Sequence, residues 1–528
     1  MIRAPVQPRV ILLPLDSRPT SYRDPFDLGR IAGLRVHRPP RTLLGLKGRP
    51  ARCDEILDWL ESVFVGSDRV LVHLELPLYG GLIASRIPDV GLAQAQERLN
   101  RLARIGCRVS VHVAASLLRQ SITVSNSSDI DGWRRLHEAF GSPVDVRERL
   151  LAVLARSGLE SRIQNFLACR ERNHSINQQV LGHVTRGDFA SAVFLKEDCS
   201  PGGVLAEEEA DLKSRSFAAR AAGAVEAGSR NRVSFQVGTD EGGMLLVGRA
   251  AQDLHGGHGC VRVAWTHPDL PDRILPYEDR PVGQSLAEKA AYLGLNVQSG
   301  LSSVGGDHPA PGSARPTLYV HGANHTTVDA AFDAPGPGRL PDPQRLQGLD
   351  LGAGLAIADL WNTNGGDPAL LRMSGESRRN LLAYAGWNTA GNTLGSVMAQ
   401  LACSLVPHGS HLAAGLKYTL RRWLEDLVYL SIVRHRIRAH LRKSGLDPLD
   451  FRCDSKLAHQ ILADHRSVFE SELASFLGIK DLRGSKVQRI ALKRGDVEVV
   501  DAGVNARYPW HRDFEIELVV RGRWRDHS

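Results

Sequence analysis

Long apolar runs are missing from this sequence of 528 residues. No window approaches the roughly eighteen apolar residues of a membrane-spanning helix, so a membrane partner is not expected. No leader is expected at the amino terminus either. Val10–Leu15 is too short for the apolar core of a signal peptide and ends at Asp16. Cysteine is sparse: Cys53, Cys107, Cys169, Cys199, Cys260, Cys403 and Cys453 are scattered, with no CxxC pair. Neither a disulfide framework nor a zinc knuckle is signalled, and a reducing, cytoplasmic setting is expected. Lysine is scarce too, only ten of the 66 basic residues. The arginines are spread through helical stretches beside Asp and Glu, without the clustering a nucleic-acid surface requires.

What is present suits a packed globular chain. Hydrophobic residues are 42% and charged residues 23%, so the core needs no staples. The net charge is +8, with a pI near 9.2, an excess that would suit an anionic substrate. The oligomeric state is not fixed by these numbers, and a homo-oligomer is compatible with them.

Short, nearly continuous apolar runs alternate with helical periodicity. The runs are Val10–Leu15, Val70–Leu74, Val109–Val113, Ala192–Leu195, Val233–Val237, Val261–Trp265, Leu318–Val320 and Leu355–Ala358. Between them Cys53–Val65, Gly91–Ile105, Val144–Ser157, Ala206–Ala227 and Gln284–Leu293 read as helices. This is the pattern of parallel strands covered on both faces. The expectation is an α/β catalytic domain over residues 1–395, a (β/α)8-like barrel, with doubly wound parallel sheets as the alternative. Gln298–Pro316 and Ala334–Pro343 read as surface loops. Residues 396–528 read as a helical region, with a broad apolar face on Leu416–Arg442, closed by a hairpin around Val497–Val500 and Ile516–Val520.

Polar residues follow the strands, in positions that face one mouth in parallel α/β architectures. Asp16 and Arg18 follow the first run, Glu75 and Tyr79 the second, and Glu197–Asp198 the fourth. Asp240 and Glu241 follow the fifth, Asn324 and His325 the seventh, and Asp359 and Asn362 the eighth. Tyr384, Trp387 and Asn388 come later, in LLAYAGWNTAGNT. Each has a bland reading: Asp16 could pair with Arg18 and cap a turn, and the glycines after Tyr79 could only turn the chain. The loop Gly238–Gly243 lacks the lysine of a P-loop and the spacing of a dinucleotide fingerprint, so no cofactor is expected. His255 and His258 have no third ligand nearby and read as a turn, so no metal is expected either.

The doublet Glu197–Asp198 is the sharpest feature. If both carboxylates face the mouth, repulsion raises one pKa and gives one acid and one base, the division that glycosidic cleavage uses. Lys196 could stabilise the ionised partner. Rings and amides among the candidates suit a carbohydrate-like small molecule.

Several blocks carry a resemblance: PLDSRP, LELPLYGGLIASR, RERNHSIN, GTDEGG, YEDRP, ADLWNTNGGDPALL, AYAGWNTAGNTLG and YPWHRDFE. From about Val10 to Glu517 the chain resembles the bacterial family catalogued as domain of unknown function 4127 (DUF4127). That family's doublet is more often two aspartates after Gln. Here it is Lys196-Glu197-Asp198, which places the weight on Asp198. The acidic pair after a fourth strand is also similar to glycoside hydrolase family 84. That likeness implies an amino sugar whose acetamido group serves as the nucleophile. The leading expectation is a glycosidase using Asp198, Glu197 and Asp240, with Asp16, Arg18, Glu75, Tyr79, Glu241, Asn324, Asp359, Asn362, Tyr384, Trp387 and Asn388 around the substrate. The alternatives are a metal-dependent amide or ester hydrolase, with Asp16, Glu75, Asp240 and His325 as ligands, and a non-catalytic sugar or metabolite binder.

Overall fold

The computed structural model describes residues 7–66, 68–221, 232–299, 315–323, 328–331, 354–407, 411–480, 482 and 486–527. Asn324, His325, the stretch Ala334–Pro343 and most of Gln298–Pro316 lie outside the described residues. The chain divides into two compact units. The first is Met1–Phe26, Leu34–Ala250 and Tyr277–Arg280; the second is Asp27–Gly33, Ala251–Pro276 and Pro281–Ser528.

In the first unit, six strands form one parallel sheet: β1 (Arg9–Leu13), β2 (Arg35–His37), β3 (Arg69–His73), β4 (Ser110–Leu117), β5 (Ser191–Lys196) and β6 (Val233–Val237). Their order is β2-β1-β3-β4-β5-β6. The central strands are buried along their length; Val10 to Leu13 and Ala192 to Leu195 have no exposed surface. A parallel sheet needs long crossovers, and helices supply them. The long helix Glu160–Arg186 starts just after a break at Ser157 and Gly158, where Gly158 has φ 90°.

The second unit holds another parallel sheet. Its members are β7 (Cys260–Trp265), β8 (Asn296–Ser299), β9 (Thr317–Gly322), β11 (Leu355–Leu360) and β13 (Leu381–Ala385), in the order β13-β11-β9-β7-β8. A short parallel pair joins β10 (Val328–Asp329) to β12 (Asn362–Thr363). The C-terminal strands β14 (Gln488–Leu492), β15 (Gly495–Arg507) and β16 (Glu517–Asp526) form an antiparallel sheet, so the expected closing hairpin carries a third strand. The long helix is α-helical over Leu412–Arg422, widens to i→i+5 bonding over Trp423–Val433 and returns to α over Arg434–Lys443. Its apolar residues Leu416, Leu420, Trp423 and Leu427 share a core with Ile357, Tyr384, Val497 and Leu518.

The protein is therefore an α/β protein with parallel sheets. All eight apolar runs are strands; five belong to the first sheet and three to the second. Among the described residues, no helix is long and apolar enough to cross a membrane. All seven cysteines are unpaired thiols.

Candidate active site

Beyond β1 the chain turns at Asp16-Ser17-Arg18. Asp16 accepts hydrogen bonds from the backbone N–H of Arg18 at 3.0 Å and from its Nε at 2.9 Å. The local pairing weighed from the sequence exists, and it extends further. A terminal nitrogen of Arg18 also donates to Asp240 at 2.6 Å, in the turn after β6. All three side chains are buried. β1 and β6 stand four positions apart in the sheet order, about 19 Å in a flat sheet. One guanidinium spans their following turns, so those turns converge. Beside Asp240, Glu241 is wholly buried and folds over Gly238, whose φ is 92°; a Cβ there would lie 2.3 Å from the Glu241 carboxyl.

The doublet after β5 is held by two arginines. Arg86 grips both oxygens of Glu197, which also lies 3.7 Å from Arg119. Asp198 pairs with Arg119 and takes a left-handed backbone, φ 41°. Burial raises the pKa of Asp198 above the usual carboxylate range. Arg119 opposes that rise, whereas Glu197 and Asp240 reinforce it. Because Asp240 acts on Asp198 in this way, the Arg18 cluster and the doublet form one electrostatic unit. Trp133 walls it: the Arg119 guanidinium lies 5.8 Å from its ring centre, His137 stacks on it at 5.3 Å, and Tyr277 tilts against it at 6.0 Å. Burial, with help from Arg119, pushes His137 down to about 4.

Glu75 is engaged by the protein through both oxygens. His73 Nδ1 lies 2.5 Å from one, and the Ser116 N–H donates to the other at 2.7 Å. His73 Nε2 faces the Thr239 carbonyl at 3.3 Å, which ties the end of β3 to the turn after β6. The Tyr79 ring lies under the Arg172 guanidinium at 4.5 Å.

The helix Glu160–Arg186 supports these turns. Arg172 donates to the carbonyls of Ser85, Ile87 and Val90, on either side of Arg86. Arg170 donates to the carbonyl of Leu118 and, at 3.5 Å, to that of Arg119. Asn177 holds the Ser116 carbonyl at 3.2 Å. Buried polar side chains on one helix thus satisfy backbone groups that irregular turns leave unpaired. Lys196 does not serve the doublet, contrary to expectation. Its Nζ pairs with Glu209 and Asp279, which lie on the opposite side of the strand end because side chains alternate along β5.

Asp359, Asn362, Tyr384, Trp387 and Asn388 lie in the second unit, where they form a cluster of their own. Asp359 accepts from the Asp367 N–H at 2.7 Å, the Tyr384 hydroxyl at 3.1 Å and the Trp361 N–H at 3.2 Å. Burial raises it to about 6. His321 bonds Asp367 at 2.9 Å and stacks on Trp361 at 4.9 Å. Trp387 Nε1 donates to Ser396 Oγ, and Asn362 Nδ2 to the Gly366 carbonyl. The Asn388 carbonyl accepts from the Asn364 N–H, both residues having positive φ.

Sequence reasoning passed over Arg86, Arg119, Trp133 and His73. Arg119 stands just past the end of β4, whereas Arg86 lies beyond the short helix Glu75–Tyr79 that follows β3, away from the strand end. Among the described residues, no group of three or more His, Cys, Asp or Glu is arranged to hold a metal ion. A family model described as a protein of unknown function, DUF4127, matches residues 10–519. No curated protein and no solved structure matches the chain, so the likeness to glycoside hydrolase family 84 gains nothing from these comparisons.

Proposed function

We propose, for a chain that belongs to the DUF4127 family, a hydrolase that cleaves a glycosidic bond by carboxylate acid/base catalysis. Asp198 is the proton donor in this reading and Asp240 its ionised partner. The observation that carries it is the contrast between their surroundings. Burial favours the protonated form of Asp198, whereas the guanidinium of Arg18 sits against Asp240. A carboxyl whose protonated form is favoured, near one that sits against a guanidinium, supplies an acid and a base at one site. Glu197, gripped by Arg86, is assigned to positioning the two arginines rather than to proton transfer. An amino sugar remains the substrate suggested by resemblance.

The finer fold belongs to the same reading. The order β2-β1-β3-β4-β5-β6, with β1 between β2 and β3, supports the doubly wound alternative over a barrel whose strands follow one another in chain order, and the turns after β1, β3 and β6 then converge at the switch point beside β1. The unpaired thiols fit a reducing, cytoplasmic setting. The metal-dependent alternative takes Asp16, Glu75, Asp240 and His325 as ligands, and the three of these among the described residues are engaged by Arg18, His73 and Ser116.

The test is turnover of a broad panel of aryl glycosides by the wild type, Asp198→Asn and Asp240→Asn. The expected loss is about 10²- to 10⁴-fold in kcat for each variant, with unchanged circular dichroism. No turnover by the wild type on any glycoside would count against the reading. Ligand binding that persists in both variants without any turnover would favour a non-catalytic sugar binder.

A further inference from the structure

We propose that the substrate carries a carboxylate or phosphate group, bound at the corner formed by Arg86, Arg119 and Trp133. The inference rests on the reading above in taking this site as the one the substrate occupies.

Three polar atoms in this corner are buried without a hydrogen-bond partner: Arg86 Nε, Arg119 Nε and Trp133 Nε1. Each can donate and none can accept. A buried donor left unmade is costly, so these three donors point to a ligand that brings acceptors, and the unpartnered His137 Nδ1, on the ring stacked against Trp133, donates to it in one tautomer. Sugar hydroxyls bring donors together with acceptors, whereas a carboxylate or phosphate oxygen only accepts. Planar guanidinium groups suit such oxygens. The corner is also built rigidly: Arg170 and Arg172 pin the backbone on either side of Arg119 and Arg86. Such support is what a binding site needs to hold its donors in place before the ligand arrives.

The experiment is calorimetric titration of the full chain with D-glucuronate, D-glucose 6-phosphate and D-glucose, at low ionic strength and in 0.5 M salt. At least one anionic sugar is expected to bind about tenfold or more tightly than glucose, with the advantage shrinking in high salt. The glucuronate and phosphate arms tell a carboxylate ligand from a phosphate one. Arg119→Gln and Trp133→Phe are each expected to weaken the anionic sugar by about tenfold. Arg119→Lys, which keeps the charge and loses Nε, should fall between wild type and Arg119→Gln. Glucose binding as tightly as the anions would overturn the inference. So would anion binding indifferent to both Arg119→Gln and Trp133→Phe, or no binding of any of the three sugars. Cleavage of neutral aryl glycosides without anion preference would remove this inference and keep the glycosidase reading. Binding of an acidic sugar without turnover of any glycoside would do the reverse.

Discussion

Arg18 lies between two buried carboxylates, one in its own turn and one 222 residues away. Truncating it would leave Asp16 and Asp240 facing each other without their shared cation. Removing one partner of a buried ion pair costs about 3–5 kcal/mol, because the remaining charge is uncompensated. Arg18→Ala is therefore expected to lower the unfolding free energy by about that amount in urea at pH 7. Arg18→Lys should recover only part, since one ammonium cannot match a planar fork that reaches both carboxylates. A loss under about 1 kcal/mol for Arg18→Ala would mean that the two acids do not depend on it. At this scale the sequence was half legible. An acid directly after an apolar run stands out, because charge there is costly unless it is used. Arg86 and Arg119 did not stand out, because a lone arginine after a strand looks the same as one on a solvated surface.

The helix that begins at Gly242 reverses the usual propensity argument. In a helix, Ala is favoured over Gly by about 1 kcal/mol. Yet a Cβ at Gly242 would lie 2.7 Å from Leu195 Cδ1 on β5 and 2.8 Å from His73 Nε2 on β3. Gly242→Ala must push the His73 ring off the Thr239 carbonyl or displace the helix. Overpacking of this kind costs about 1–3 kcal/mol. The expected outcome is net destabilisation in urea, with reduced activity if the turn carrying Asp240 moves. A variant more stable than wild type would show that the helix start has room to shift. Strands were legible where burial on both faces leaves a continuous apolar run, as in β1 and β5. β2, with three residues and two of them polar, and β8, Asn-Val-Gln-Ser, carry no such signal. The apolar face of the long helix was readable, but its i→i+5 stretch was not. Turn width depends on packing against the second unit's core rather than on residue type.

Over the whole molecule, the sequence could not tell which strand ends share a sheet. Asp240 and Asp359 follow similar apolar runs, yet one pairs with Arg18 in the first unit and the other with Tyr384 in the second. Both units bury titratable groups, and among these groups are some whose pH responses oppose one another. Burial raises Asp359 to about 6 and Asp426 to about 7. An unfolded Asp titrates near 4, so from about pH 4 up to those values the native state binds more protons than the unfolded chain. Stability from these two groups is therefore lost as pH rises through that window. His137, pushed down to about 4, acts in the other direction. Its native form stays neutral while an unfolded His takes up a proton near pH 6.5, so that contribution is lost as pH falls from about 6.5 towards 4. The two trends partly cancel, and a wild-type stability curve alone cannot separate them. A difference curve can. Between about pH 4 and 6, wild type should lose stability more steeply with rising pH than Asp359→Asn does. The excess slope is at most about 1.4 kcal/mol per pH unit, the value of one linked proton. Above about pH 7 the two curves should run parallel. Urea unfolding at half-unit pH steps measures this, and curves parallel from pH 4 upward would show that Asp359 ionises in the fold as readily as it does in the open chain.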